Sequence, residues 1–270
     1  MKYRYLVDSH MHSSFSPDGE TPVMMMCEAA AKQGLYAAVI TDHCECNTYQ
    51  KDGYDHLIRD SYCETRRAAS AFRGRIQIYT GVEIGQPVQD QAAAQDILDA
   101  CEFDFTLASV HNIKGMEDFY FLDYNTIDIK DLLFRYFDEI LETIAWGRFD
   151  SLAHLTYPWR YIVGDHGIQI DNSVFADKID LVLKELIKSG KSLEINTSGL
   201  RNKIGTIIPD YSILRRYQEL GGHMVTVGSD AHRWADVCGG VEQGMELAAR
   251  AGFRHIALYV KHEPKLLPIV

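Results

Sequence analysis

"VDSHMHSSFSPDG", residues 7–19, leaves the first apolar run of the chain and sets His10 and His12 two positions apart, with Asp18 following. Side chains at i and i+2 of an extended segment point to the same side, so one strand end can offer both imidazoles to a single ion. An isolated HxH fits two surface histidines beside a turn equally well. The choice depends on whether the other strands of the chain end in the same way.

Short apolar runs with strand character lie at 3–8 (YRYLVD), 36–41 (YAAVIT), 75–82 (RIQIYTGV), 103–109 (FDFTLAS), 149–153 (FDSLA), 192–196 (SLEIN) and 223–228 (HMVTVG). Between them run longer segments with apolar residues at helical spacing. Thr21-Pro22 reads as an N-cap followed by proline at the first helical position, and Gly34 stops that helix. Ile179, Leu183, Leu186 and Ile187 form a stripe ended by Gly190, and Leu214, Tyr217 and Leu220 form another ended by Gly221 and Gly222. Strand and helix alternating seven times predict parallel strands with helical crossovers.

An open doubly wound sheet and a closed barrel both fit that alternation, and the polar residues separate them. His10 and His12 follow the first strand, Asp42 and His43 the second, Glu83 the third, His111 the fourth, His154 the fifth, Asn196 the sixth, and Asp230 and His232 the seventh. Only a barrel gathers all seven C-terminal strand ends around one centre, so the expected fold is α/β, a seven-stranded β/α barrel with its site at those ends. "HIALYV", 255–260, reads as one further strand without such a group, placed at the barrel seam or edge.

The length of 270 residues and the 46% apolar content suit one domain over residues 1–270 with a sizeable core. No stretch approaches the roughly 18 apolar residues of a membrane span, and the charged, tyrosine-rich start does not read as a signal peptide. A cytoplasmic protein without a membrane partner is the expectation. A net charge of -11 opposes binding along a nucleic-acid backbone, which calls for a basic surface. Cys27, Cys44, Cys46, Cys63, Cys101 and Cys238 form neither a CxxC pair nor a disulfide framework and read as reduced thiols, with Cys44 and Cys46 as spectators beside His43. The sequon at Asn196-Thr197-Ser198 has no consequence without a secretory signal.

Histidine supplies neutral nitrogen to a metal, while Asp and Glu supply anionic oxygens able to bridge two ions. Any one of these residues taken alone fits a core or surface role, as His154 does within "SLAHLTYP", but ligand types at nearly every strand end point jointly to metal. His56, His166, His223, His255 and His262 lack that placement, and His223 is expected to begin its strand at the opposite face. HExxH, Walker A and GxSxG are absent.

"DSHMHSSFSPDG", "ITDHCE", "GVEIG", "ASVHN", "LAHL", "EINTSGLR" and "VGSDAH", in this order, resemble the PHP (polymerase and histidinol phosphatase) family, from residue 5 to about residue 260. "NTSGLR" and "IPDYSILRRYQELGG" tilt the resemblance toward its histidinol-phosphate phosphatases. It implies a distorted seven-stranded β/α barrel holding three divalent ions, Zn, Mn or Fe. By the resemblance, His10, His12, Glu83 and Asp230 hold the first ion, Glu83, His111 and His154 the second, and Asp18, His43 and His232 the third. Asp18 departs from the histidine that many histidinol phosphatases carry there, which puts the affinity or metal preference of the third site in question.

Clustered cations ease attack on a phosphate monoester by acidifying a bridging water and neutralising phosphoryl oxygens. The expected reaction is hydrolysis of L-histidinol phosphate to L-histidinol and inorganic phosphate, with hydroxide shared by the first two ions attacking phosphorus. Glu83 and Asp230 shape that nucleophile, and His43, Asp42 and His232 stay open as proton donors to the leaving alkoxide. Arg160 and Arg201, in loops after the fifth and sixth strands, are expected to grip phosphate with their planar forks, and Asn196 to orient a water or ligand. Two alternatives share the residues: a phosphoesterase acting on nucleotides or oligonucleotide ends, and a catalytically silent metal-binding module.

Overall fold

The computed structural model describes residues 3–269. The barrel wall runs β1 (Val7–Asp8), β2 (Ala37–Ile40), β4 (Gln77–Gly85), β5 (Phe105–Ser109), β6 (Ser151–Leu152), β7 (Ser192–Asn196) and β8 (Val225–Gly228), all parallel. The short β3 (His43–Glu45) continues the line of β2 after a break at Thr41-Asp42 and pairs with the far half of β4, His43 opposite Glu83. The third strand therefore runs past Glu83 to Gly85, and the carboxylate rises from within the wall.

The first and last strands of this path meet. Ser9 N donates to Val227 O at 2.9 Å, Asp230 N to His10 O at 2.7 Å, and His12 N to Ala231 O at 2.8 Å. These bonds close the barrel along the segments that carry His10, His12 and Asp230. Leu6 O accepts from Tyr36 N at 2.8 Å, but the regular pairing with β2 begins at Val7, so the first strand is shorter than its apolar run.

Helices α1 (Val23–Lys32), α2 (Tyr54–Ala71), α3 (Gln91–Ala100), α4 (Ile129–Trp146), α5 (Ala176–Lys188), α6 (Tyr211–Glu219) and α7 (Val241–Ala251) flank the wall. Local chemistry sets their ends: Asp128 accepts from Lys130 N and Asp131 N at the start of α4, and Gly147 ends it at φ 72°. The same helix turns Leu132, Leu133, Tyr136, Phe137 and Ile140 inward. At α1 the expected cap shifts by one residue. Pro22 itself, at ψ 148°, takes the N-cap position, while Thr21 Oγ1 accepts from Trp234 N. No helix among the described residues is long and apolar enough to cross a membrane.

The terminal strand departs from expectation. β9 (His255–Val260) forms an antiparallel hairpin with β10 (Glu263–Pro268) instead of joining the wall. Its two-residue turn, Lys261-His262, has φ 53° and 64°, as a hairpin of this tightness requires. The hairpin covers the N-terminal mouth: Tyr259 stacks on Phe105 at 5.3 Å and its hydroxyl lies 2.8 Å from Ser192 Oγ. His223 precedes β8 by two residues and does not begin it.

Candidate metal centre

Five of the seven wall strands, together with β3, deliver a candidate ligand to the C-terminal mouth, from within them or just beyond. His10 and His12 follow β1, His43 lies in β3, Glu83 in β4, His111 follows β5, His154 follows β6, and Asp230 and His232 follow β8. Two of these have left-handed backbones, His154 at φ 33° and Asp230 at φ 54°, a conformation that costs a non-glycine residue free energy and gathers at functional sites. Gly228 lets His10 lie against β8, since a Cβ there would collide with that side chain.

The imidazoles converge in three pairs, Nε2 toward Nε2: His10 and His12 at 2.9 Å, His111 and His154 at 3.3 Å, His43 and His232 at 3.4 Å. Each pair faces carboxylate oxygen. Glu83 Oε2 and Asp230 Oδ1 lie 3.3 and 3.7 Å from His10 Nε2, and 3.5 and 3.4 Å from His12 Nε2. Glu83 Oε1, the other oxygen of the same carboxylate, lies 3.2 Å from His111 Nε2 and 2.9 Å from His154 Nε2. Asp18 lies 3.6 Å from His43 Nε2 and 3.1 Å from His232 Nε2. Nitrogen and oxygen ligands of a tetrahedral ion stand about 3.3–3.6 Å apart, close to these spacings.

Hydrogen bonding to the opposite ring nitrogens holds the Nε2 atoms in place. Glu194 Oε1 lies 2.6 Å from His10 Nδ1, and Glu45 Oε1 2.9 Å from His111 Nδ1. Both oxygens can only accept, so each fixes a proton on Nδ1. His12 is held through a serine. Ser16 Oγ donates to Asp42 at 2.7 Å and accepts from His43 N at 3.1 Å, so at 3.1 Å from His12 Nδ1 it accepts again.

In two of the three pairs one ring is held above its ordinary value and the other below. Burial pulls His10 down, but Glu194, Glu83 and Asp230 outweigh it and hold the ring well above its ordinary value, whereas burial together with His43 and His232 keeps His12 well below. His111 and His154 repeat the pattern: against burial, Glu45 and Glu83 lift His111, while burial lowers His154. Glu83 Oε2 and His43 Nδ1 are buried, stand 2.9 Å apart and are misaligned for a hydrogen bond, so both lack a partner. A donor set of imidazole and carboxylate with an orphaned buried oxygen at its centre fits divalent cations. His10, His12 and Glu83, and separately His43, Glu83 and His111, are close enough to serve one ion each; His12, His43 and His232 form a third such group.

Above the cluster opens a cavity of about 600 Å³ lined by His43, His111, His154, Asp230, His232 and Arg160 among others. Arg160 Nη2 donates to Ser198 Oγ at 2.6 Å and Asp230 Oδ2 at 3.0 Å, and its buried Nε has no acceptor. Three expected site residues sit elsewhere. Asp42 does not line the cavity and accepts from Ser13 N, Ser13 Oγ, Ser16 Oγ and Ser61 Oγ, which leaves it no free lone pair for the leaving group. Arg201 stands behind Asp230, donating to the carbonyls of Ser229, Asp230 and Gly239. Asn196 donates to Glu194 and Asp230 and accepts from Ser198, so it fixes two acids instead of facing the cavity.

Sequence reasoning missed Glu45, Glu194, Ser16 and Tyr157. The signal for Glu194 is an acid inside the apolar run "SLEIN"; Glu45 has no such signal, and the structure alone sets its carboxylate against Gly85, where a Cβ would overlap it. Cys44 and Cys46 are buried in an apolar cluster with Tyr49, Tyr54 and Ile58, as spectators would be.

A family model described as PHP domain matches residues 8–198. A protein named probable histidinol-phosphatase from Clostridium acetobutylicum is 32% identical over 228 residues, 83% of this chain and 86% of its own length. One of the same name from Thermotoga maritima is 30% identical over 253 residues, 94% of this chain and 95% of its own. The fold is that of a histidinol phosphate phosphatase from Lactococcus lactis crystallised with zinc, L-histidinol and phosphate, at a TM-score of 0.78 and 22% identity over 96% of this chain and 98% of that one.

Proposed function

The chain belongs to the PHP family, and on that premise we propose that it is a metal-dependent phosphomonoesterase hydrolysing L-histidinol phosphate to L-histidinol and phosphate, as one cytoplasmic domain. The observation that carries this is Glu83, whose two oxygens face two different histidine pairs beneath a cavity that also holds Arg160. Support for the substrate comes from the relatives named histidinol-phosphatase.

His10, His12, Glu83 and Asp230 would hold one ion, Glu83, His111 and His154 a second, and Asp18, His43 and His232 a third. Zn, Mn or Fe bound there would acidify a water to the attacking hydroxide and offset the charge of the phosphoryl oxygens. Arg160 binds a phosphoryl oxygen from the cavity wall, and Arg201 adds positive charge from behind Asp230. Asn196 keeps Asp230 and Glu194 oriented. With Asp42 fully hydrogen-bonded and His43 and His232 assigned to the third ion, none of the three expected donors keeps a free proton for the leaving alkoxide. Long nucleic acids are not substrates in this scheme, given the net charge of -11.

The test is phosphate release by metal-replete protein from L-histidinol phosphate, nucleoside monophosphates and sugar phosphates. L-histidinol phosphate should lead in kcat/KM by at least about tenfold. Equal or faster release from nucleotides or sugar phosphates would overturn the assignment.

A further inference from the structure

The cavity of about 600 Å³ is far larger than a phosphoryl group and leaves room in its outer part for the alcohol portion of an ester. Tyr157 divides the two parts. Its ring packs on His111 and His154 with centroids 4.8 and 5.1 Å away, and the Arg160 guanidinium lies 5.1 Å from the ring centre. At the far edge its hydroxyl lies 2.8 Å from that of Tyr161 and 3.4 Å from Asp118 Oδ1. One aromatic ring thus separates a cationic anchor on the metal side from a carboxylate on the outer side.

Asp118 differs from the other acids of this cavity. Glu45 is engaged by His111, Asp230 by Arg160 and Asp18 by His232, while Asp52 and Glu117 are exposed. Asp118 is half-buried and receives hydrogen bonds from Tyr120 N at 2.7 Å and Tyr157 Oη, and among the described residues no cationic side chain pairs with it. Burial pushes its carboxyl upward, against the opposing pull of His111 and the hydrogen bond from Tyr120 N. With Arg160 and the proposed cations at its inner end and a half-buried carboxylate without a cationic partner further out, the cavity is complementary to a short zwitterion.

We propose that Asp118 selects phosphate monoesters whose alcohol portion carries an ammonium group, gripping that cation while Arg160 and the ions that the Glu83 cluster would bind hold the phosphate. The assignment rests on the phosphomonoesterase activity proposed above. Asp118 is a specificity-determining residue, so its removal should raise KM for cationic substrates and leave neutral ones alone.

The test compares wild type, Asp118→Asn and Asp118→Ala on L-histidinol phosphate and on its desamino analogue, 3-(imidazol-4-yl)propyl phosphate. A lost charged hydrogen bond is read as a roughly tenfold to hundredfold fall in kcat/KM on the amine-bearing ester, carried by KM. Rates on the desamino analogue should stay within about twofold, which also reports that the variants are folded. Equal losses on both esters, no loss on either, or a wild type that favours the desamino ester would each overturn the role of Asp118 while leaving a histidinol phosphatase standing. Should wild type ignore L-histidinol phosphate yet hydrolyse phosphoethanolamine in an Asp118-dependent manner, the assignment of Asp118 holds and the substrate proposed above falls.

Discussion

At the N-terminal mouth of the barrel, Asp150 accepts from Thr106 N and His262 Nδ1, and Asp104 accepts from Thr80 N, Thr80 Oγ1 and Lys261 N. At the C-terminal mouth, Glu83 Oε2 is buried without a hydrogen bond and three pairs of ring nitrogens face each other across short gaps. Left-handed backbone marks both ends for opposite reasons. Lys261 and His262 adopt it because a tight hairpin demands it, whereas His154 and Asp230 adopt it in loops that aim side chains at one point. The lower mouth closes itself with protein groups, and the upper mouth leaves a donor set that fits divalent cations. On the proposed function the upper mouth carries the chemistry and the lower mouth serves stability, the division that barrel enzymes show.

This contrast is broken most severely at Glu83. Glu83→Gln keeps the shape and removes the charge shared by two histidine pairs, so kcat/KM should fall by roughly a thousandfold or more and bound metal should drop. Normal metal stoichiometry with a normal rate would remove Glu83 from the centre. The converse change lies below. Tyr259→Ala deletes a buried ring and its bond to Ser192 Oγ, and denaturant unfolding should show a loss of about 3 kcal/mol with kcat/KM of the folded fraction unchanged. A comparable fall in activity per folded molecule would mean that the two mouths are coupled.

A subtler change sharpens the distinction between ligands and their supports. Ser16→Ala removes the acceptor that fixes the His12 proton while leaving every proposed ligand present. Metal affinity, followed by chelator competition, should weaken by about 10- to 100-fold. Unaltered affinity would show that His12 needs no such support.

The smallest effect concerns His262. Its hydrogen bond to Asp150 raises the folded pKa above the unfolded value, so its stabilisation is full below the unfolded pKa and is lost as pH rises through the folded one. The side chain is half exposed, so His262→Ala should cost under about 1 kcal/mol below pH 6 and nothing measurable at pH 9. A cost that grew with pH would reverse the sign and the cause.

Much of this was legible because period and residue type coincide at strand ends. The parallel alternation, the convergence of His10, His12, Glu83, His111, His154, Asp230 and His232, and the presence of Arg160 on the same mouth all follow from where short apolar runs stop. The supports were not legible. Glu45 acts because β3 resumes after a break and pairs with β4, a register that no local pattern announces. Arg201 and Asp42 carry the residue types of a phosphate clamp and a proton donor, yet carbonyls and serines occupy them. β10 hides behind Pro264 and Pro268, which its edge position in a two-stranded sheet tolerates.

The dependence of the upper mouth on cations is tested most directly by phosphate release from L-histidinol phosphate before chelation, after removal of metal, and after zinc is restored. Activity should vanish on stripping and return on refilling, with more than one equivalent of metal bound per chain. Undiminished turnover by protein shown to be metal-free would contradict a catalytic centre built on Glu83 and its surrounding histidines.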